Sequence, residues 1–162
     1  MPRATFPTSL GDCAIAWGDA GLTSFELPGA GARRANEPVV EPPPWVAAII
    51  ARVRQHAAGE PQDFSDVRYD FSAVPDFNLR VLRATLDVKA GRTATYGEIA
   101  EAIGEPPVAS RGVGAALGAN RWPLLIPCHR ITGADGKMTG FSGPGGVATK
   151  VKLLTLEGAQ LL

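Results

Sequence analysis

DFNLRVLRATLDVKAGRTATYGEIAEAIGEPPVASRGVGAALG, residues 76–118, sets three helical patterns in a row with short breaks between them. Phe77, Val81, Leu82 and Leu86 recur at helical spacing, which predicts a helix from an N-cap at Asp76 to about Val88, ended by Gly91. Ile99, Ala100 and Ile103 form the stripe of a shorter helix over 96–103, and Gly104-Glu105-Pro106-Pro107 forces a turn. A third helix is predicted from Val108 to Leu117. Helix, tight turn and helix in so short a span give the outline of a helix-turn-helix.

The third helix has an unusual composition. Gly112, Gly114 and Gly118 each cost a helix roughly 1 kcal/mol relative to alanine, so close approach of another backbone should offset them. A packed neighbouring helix and a DNA backbone are both open as that partner. Arg111 is the one long cation at the start of this surface of small residues.

Upstream, residues 13–17 and 22–27 read as a hairpin around a Gly-Asp-Ala-Gly turn. A Gly-, Ala- and Pro-rich stretch follows over 28–44. Trp45, Val46, Ile49, Ile50 and Val53 then predict a helix over 45–58, with Pro44 in its first turn and Gly59 as its stop. A strand over 67–71 is expected to close a small sheet against it. The chain thus reads as an N-terminal α/β domain, 1–75, followed by a mainly helical domain, 76–162.

With 45% apolar residues in 162, the chain can bury a real core. It has no apolar run of membrane-spanning length and no apolar signal core in its opening residues, so it is expected to be soluble and cytoplasmic, with no membrane partner. Cys13 and Cys128 are too few for a disulfide framework, and with only His56 and His129 beside them a metal site is not expected. The formal charge is zero, which taken whole argues against a nucleic-acid protein. The halves differ: residues 1–76 sum to −4 and residues 77–162 to +4, so any phosphate partner should meet the C-terminal half.

Beyond the third helix, Leu124-Leu125-Ile126 reads as a strand that ends in Pro127-Cys128-His129-Arg130. Cys13 reads as inert core. Cys128 is different, because a proline-locked backbone and an adjacent histidine present it where an apolar segment ends. A thiolate is the reactive form of cysteine, and at neutral pH it needs a base, for which His129 is the candidate. Adjacent side chains diverge, so the pair should communicate through a water or after a turn. Glu157 is the candidate to orient the imidazole, at the end of a helix marked by Val147, Val151, Leu154 and Leu156 and stopped by Gly158.

Ile126-Pro127-Cys128-His129-Arg130-Ile131 resembles the active-site signature of the 6-O-methylguanine-DNA methyltransferases. Thr95-Tyr96-Gly97-Glu98-Ile99-Ala100, Ser110-Arg111-Gly112-Val113-Gly114, Asn120, Gly140-Phe141-Ser142-Gly143 and Leu156-Glu157-Gly158 resemble that family's other motifs, in order. The resemblance implies DNA repair without a cofactor, in which Cys128 takes the alkyl group from 6-O-alkylguanine once and irreversibly. In it, His129 acts through a water, Glu157 orients His129, and Asn120 buttresses the turn carrying Cys128. Tyr96 crowds the target phosphate and assists the departing guanine, while Arg111 fills the space vacated by the flipped base. Thr95, Tyr96, Arg111, Gly112, Gly114 and Ala115 would contact DNA, and Tyr96, Leu117, Ile131, Phe141 and Ser142 would line the pocket. The implied fold is an RNase-H-like α/β domain followed by a helix-turn-helix domain, a monomer that uses the minor groove of double-stranded DNA. Arg121, Leu82, Phe141 and Gly143-Pro144-Gly145-Gly146 depart from the usual pattern and bear on pocket shape. Two other readings remain: a binding module of the alkyltransferase-like type, which lacks the cysteine, and a cysteine hydrolase, which would turn over repeatedly.

Overall fold

The structure, a computed structural model, describes residues 2–29, 39–134 and 145–159. Its first element is not among the sequence expectations. Strand β1 (Arg3–Thr8) pairs antiparallel with β2 (Gly11–Gly18), which pairs antiparallel with β3 (Gly21–Glu26), in the order β1-β2-β3. The prolines at positions 2 and 7 obscure β1 in the sequence, and Pro7 is tolerated because β1 lies at the sheet's edge.

The strand expected over 67–71 is replaced by a single parallel bridge from Leu22 to Tyr69. There the Leu22 N–H donates to Arg68 O and the Asp70 N–H to Leu22 O, both at 2.8 Å. β1, not this segment, completes the sheet.

Helix α1 (Pro44–Ala57) begins with Pro44 in its first turn, as expected, and buries Val46, Ile49, Ile50, Val53 and His56. Helix α2 (Asp76–Leu86) is capped by Pro75 backbone, not by the Asp76 side chain, and ends with Asp87 as its C-cap, close to the expected Val88. A two-residue strand β4 (Ala94–Thr95) leads into α3 (Tyr96–Ala102), whose start is fixed by a capping box between Thr95 and Glu98. A 3-10 turn over Pro107–Ala109 precedes α4 (Ser110–Gly118), which packs on both α2 and α3.

Residues 124–126 are not a strand. They lie in a tight turn closed by Ile126 N–H to Trp122 O at 2.9 Å, with Leu124 at φ 77 and Trp122, Leu124, Leu125 and Ile126 all buried. An apolar run buried all round carries no period that separates strand from turn. The strand in this region is β5 (Ile131–Thr132), parallel to β4. Helix α5 (Gly146–Leu156) follows, and Gly158 after it has φ 78.

The expected boundary at 75/76 coincides with the start of α2, yet one core cluster runs across it, from Phe25 and Val53 to Ile99, Val113 and Ile126. Trp122 stitches the two sides by donating its indole N–H to Leu22 O at 3.1 Å. No described helix is long and apolar enough to cross a membrane.

The Leu22 bridge depends on Gly21, which has φ 142 and whose missing Cβ would lie 2.5 Å from Arg68 O. Gly21→Ala is therefore expected to destabilise the fold by roughly 2 kcal/mol or more through combined strain and clash. Urea unfolding followed by tryptophan fluorescence measures this directly, and an unchanged midpoint would show that the bridge is dispensable.

Candidate active site

Cys128, His129 and Arg130 form one 3-10 turn, and all three side chains are buried. Asn120 holds its approach. The Asn120 amide donates to Ile126 O at 3.0 Å while its oxygen accepts the Trp122 N–H at 2.9 Å. It thereby satisfies backbone groups that a strand would have paired and pins the left-handed Leu124, a conformation costing about 1–3 kcal/mol for such a residue. The expected buttress is therefore a two-sided clamp.

The short turn divides the work of its three residues. Burial pushes the Cys128 thiol above its ordinary pKa, while a hydrogen bond from Asn120 and the charge of Lys150 act to lower it. His129 faces Glu157 instead of Cys128: its Nε2–H is shared between Oε1 at 3.0 Å and Oε2 at 2.9 Å. A carboxylate accepting at Nε2 fixes the proton there, so Nδ1 holds the free lone pair, and Nδ1 is buried without a hydrogen-bond partner among the described residues. Burial holds His129 below its ordinary pKa against the opposing pull of Glu157.

Glu157, the C-cap of α5, does more than orient one imidazole. Arg130 grips it in bidentate fashion, Nε to Oε1 at 2.9 Å and Nη2 to Oε2 at 2.8 Å. His56, at the far end of α1, donates Nε2–H to Oε2 at 2.7 Å. Burial alone would raise the Glu157 pKa, but the bonds from Arg130, His129 and His56 outweigh it and hold the carboxyl far below its usual range. Arg130 also ties this centre to the approach to β4 by donating Nη1–H to Val88 O at 2.7 Å.

His56, Arg130 and Lys150 are absent from the sequence-based site. Their signal was position: Lys150, Leu153, Leu154 and Glu157 form one i, i+3, i+4, i+7 stripe, and His56 extends the stripe of Ile49 and Val53. A polar residue on a buried stripe needs a partner. Lys150, fully buried, donates to Ile131 O at 2.5 Å, and burial lowers its pKa. Its Nζ also lies 6.0 Å from the centre of the Tyr96 ring.

Of the expected DNA-facing residues, Arg111 and Ala115 are exposed, and Tyr96 and Gly114 are partly so. Thr95 spends its hydroxyl on the helix cap, accepting the Glu98 N–H at 3.0 Å. The three glycines of α4 separate. A Cβ at Gly112 would meet Phe77 Cζ at 3.2 Å, which is tight helix packing; one at Gly114 would lie 4.0 Å from Tyr96 Cε1; Gly118 faces open space. Ile131 and Leu117 are buried, and Leu82 sits in the core. Phe141, Ser142 and the 143–144 part of the divergent loop lie outside the described residues.

The family model described as "6-O-methylguanine DNA methyltransferase, DNA binding domain" matches residues 76–159. A methylated-DNA–protein-cysteine methyltransferase of Methanothermobacter thermautotrophicus is 33% identical over 150 residues, covering 93% of this chain and 81% of its own. A protein of Thermus thermophilus named DNA base-flipping protein is 39% identical over 141 residues, covering 83% of this chain and 92% of its own. Among solved structures, Mycobacterium tuberculosis OGT in complex with DNA aligns with a TM-score of 0.81 at 34% identity, over 98% of this chain and 93% of that one.

The buried carboxylate carries a pH signature. A carboxyl whose pKa is depressed by folding contributes stability that is fully present above its ordinary value, 4.5 here, and fades as the pH falls below it. Glu157→Gln is expected to lose roughly 3 kcal/mol at pH 7, since Arg130 is left without its counter-ion. The gap to the wild type should narrow as the pH falls from about 5 to 3. Thermal melts at a series of pH values read both effects, and a pH-independent gap would show that Glu157 is not ionised in the fold.

Proposed function

The chain belongs to the 6-O-methylguanine-DNA methyltransferase family, and from that membership we propose that Cys128 is its alkyl acceptor, served by His129, Glu157 and Asn120. Its activity is DNA repair by direct reversal, with the protein acting once. The observation that supports the assignment of roles is the His129 ring, whose Nε2–H is held by Glu157 so that only Nδ1 can receive a proton.

The thiol proton passes from Cys128, through a water, to His129 Nδ1. The thiolate then attacks the alkyl carbon; the S–C bond forms as the bond from carbon to the guanine 6-oxygen breaks. Guanine leaves with the bonding pair and takes up one proton, assisted by Tyr96. The product thioether has no route back, which makes the protein stoichiometric. Burial pushes the resting thiol above its ordinary pKa, so the reaction depends on a base to draw off the proton.

The wider reading follows the same lines. Residues 1–75 form an RNase-H-like domain, residues 76–162 the DNA-binding and transfer domain, and α3, the 104–109 connection and α4 a helix-turn-helix. The monomer approaches double-stranded DNA from the minor groove. There the 6-O-alkylguanine is flipped into a pocket bordered by Tyr96, Leu117, Ile131, Phe141 and Ser142, and Arg111 fills the gap. Two features support the approach: Gly118 opens outward beside exposed Ala115, and Arg111 is exposed at the start of α4. A cytoplasmic location fits this role.

Incubation with methylated DNA is expected to add one methyl mass to the intact protein, mapped to Cys128, and Cys128→Ser should bind DNA without gaining mass. Label on Cys13, whose thiol burial pushes up to about 11, or multiple turnovers would overturn the assignment.

Arg111→Ala should slow repair of duplex DNA by about tenfold or more while leaving reaction with free 6-O-benzylguanine nearly unchanged, because only the duplex requires the gap to be filled. Arg111→Leu should recover part of the duplex rate. Equal losses on both substrates would place Arg111 in the fold or the pocket instead.

A further inference from the structure

We infer that His56 is a positioning residue for the transfer reaction: from α1 it sets the Glu157 carboxylate against His129, making the first half of the chain part of the reactive centre. The inference rests on the proposed relay from Cys128 through His129 to Glu157.

His56 lies 101 residues from Glu157 in sequence, is only 1% exposed, and joins it at 2.7 Å. Its other nitrogen is also committed. Nδ1 accepts the backbone N–H of Gln62 at 3.0 Å, and the ring packs 5.6 Å from that of Phe64. A nitrogen that accepts carries no proton, so His56 is held as the neutral Nε2–H tautomer with its donor aimed at Oε2.

The charge of this donor matters. The groups facing the carboxylate are Arg130 and His129 from the turn and His56 from α1. Arg130 already balances the charge of Glu157. A second cation would leave the buried cluster positive and oppose protonation of His129, whereas a neutral imidazole satisfies an Oε2 lone pair without that cost. It also fixes the rotation of the carboxylate, on which the shared His129 proton depends.

Loss of this donor alone should leave more negative charge on Glu157 to face His129. That favours the imidazolium, so the acidic limb of the rate profile should move to higher pH as His129 becomes protonated earlier.

Two substitutions separate this from a packing role. In His56→Asn the side-chain amide can still serve Gln62 but falls short of Glu157; in His56→Gln the amide N–H can reach the carboxylate. Single-turnover rates are read with free 6-O-benzylguanine from pH 5 to 9, with thermal melts in parallel. His56→Asn is expected to react about tenfold more slowly, the size of one lost hydrogen bond to a charged group, with its acidic limb shifted to higher pH. His56→Gln should recover most of that rate and the wild-type limb. Equal rates in the two variants, or a profile whose limb does not move, would overturn the inference.

If neither variant folds, nitrogen-15 NMR of the wild type decides. His56 must appear with its proton on Nε2 and none on Nδ1; an Nδ1–H ring would overturn the inference. A wild type that gains no alkyl mass at Cys128 would instead refute the transfer reading itself, an outcome distinct from any of these.

Discussion

A carboxylate with no access to water has to be satisfied entirely by protein, and Glu157 is such a group. Its side chain is 1% exposed, and its three partners come from two separate parts of the chain: His56 from α1, and His129 and Arg130 from the turn that carries Cys128. With one end of each partnership on α5, none of these elements can shift without uncovering a buried charge. The constraint thus works on the fold and the chemistry together. Arg130 supplies the compensating charge, and that leaves the two imidazoles free to stay neutral.

The same centre bears on the role proposed for a thiol that is itself buried. Burial pushes Cys128 toward the inert thiol form, as it does Cys13, but only Cys128 has an oriented base in its own turn and a cationic side chain, Lys150, acting on it from α5. At Cys13 burial and the Asp12 charge work against ionisation, and only the Thr8 hydroxyl, 3.8 Å away, favours it. In the proposed role, reactivity rests on what is placed around the sulfur and not on exposure, since Cys128 is only 8% exposed. The strained Leu124 and the Asn120 clamp belong to that placement, because they set where the turn begins.

Most of the helices were legible because amphipathic stripes and their stop signals are local: α1, α3 and α4 fall within a residue or two of their expected spans. The strands were less so. β1 was hidden by its prolines, and the 67–71 segment has a strand's composition but meets the sheet only at Tyr69. Residues 124–126 misled for the same kind of reason, since uniform burial erases the period that would tell a turn from a strand. In the site, Cys128, His129 and Glu157, which the structure brings together, could be picked out by residue type. The contacts of His56 and Lys150 could not, because partners 101 and 19 residues away leave no local trace. What they did leave was a polar side chain on an apolar stripe, a pattern that marks His56, Lys150 and Glu157 alike.

The electrostatics of the whole chain fit an irreversible reaction better than a tight binder. Counterion release rewards a protein for each phosphate it neutralises, and proteins that depend on it carry many cations on one face. Here the formal charge is zero, and α4 offers a single arginine on a surface otherwise made of glycine and alanine. Such a surface gains little from charge but lets two backbones come close, which rewards shape and flipping more than attraction. The costly features of the molecule, a buried carboxylate, a strained turn and enclosed imidazoles, lie around Cys128, and the helix proposed to face DNA is left plain.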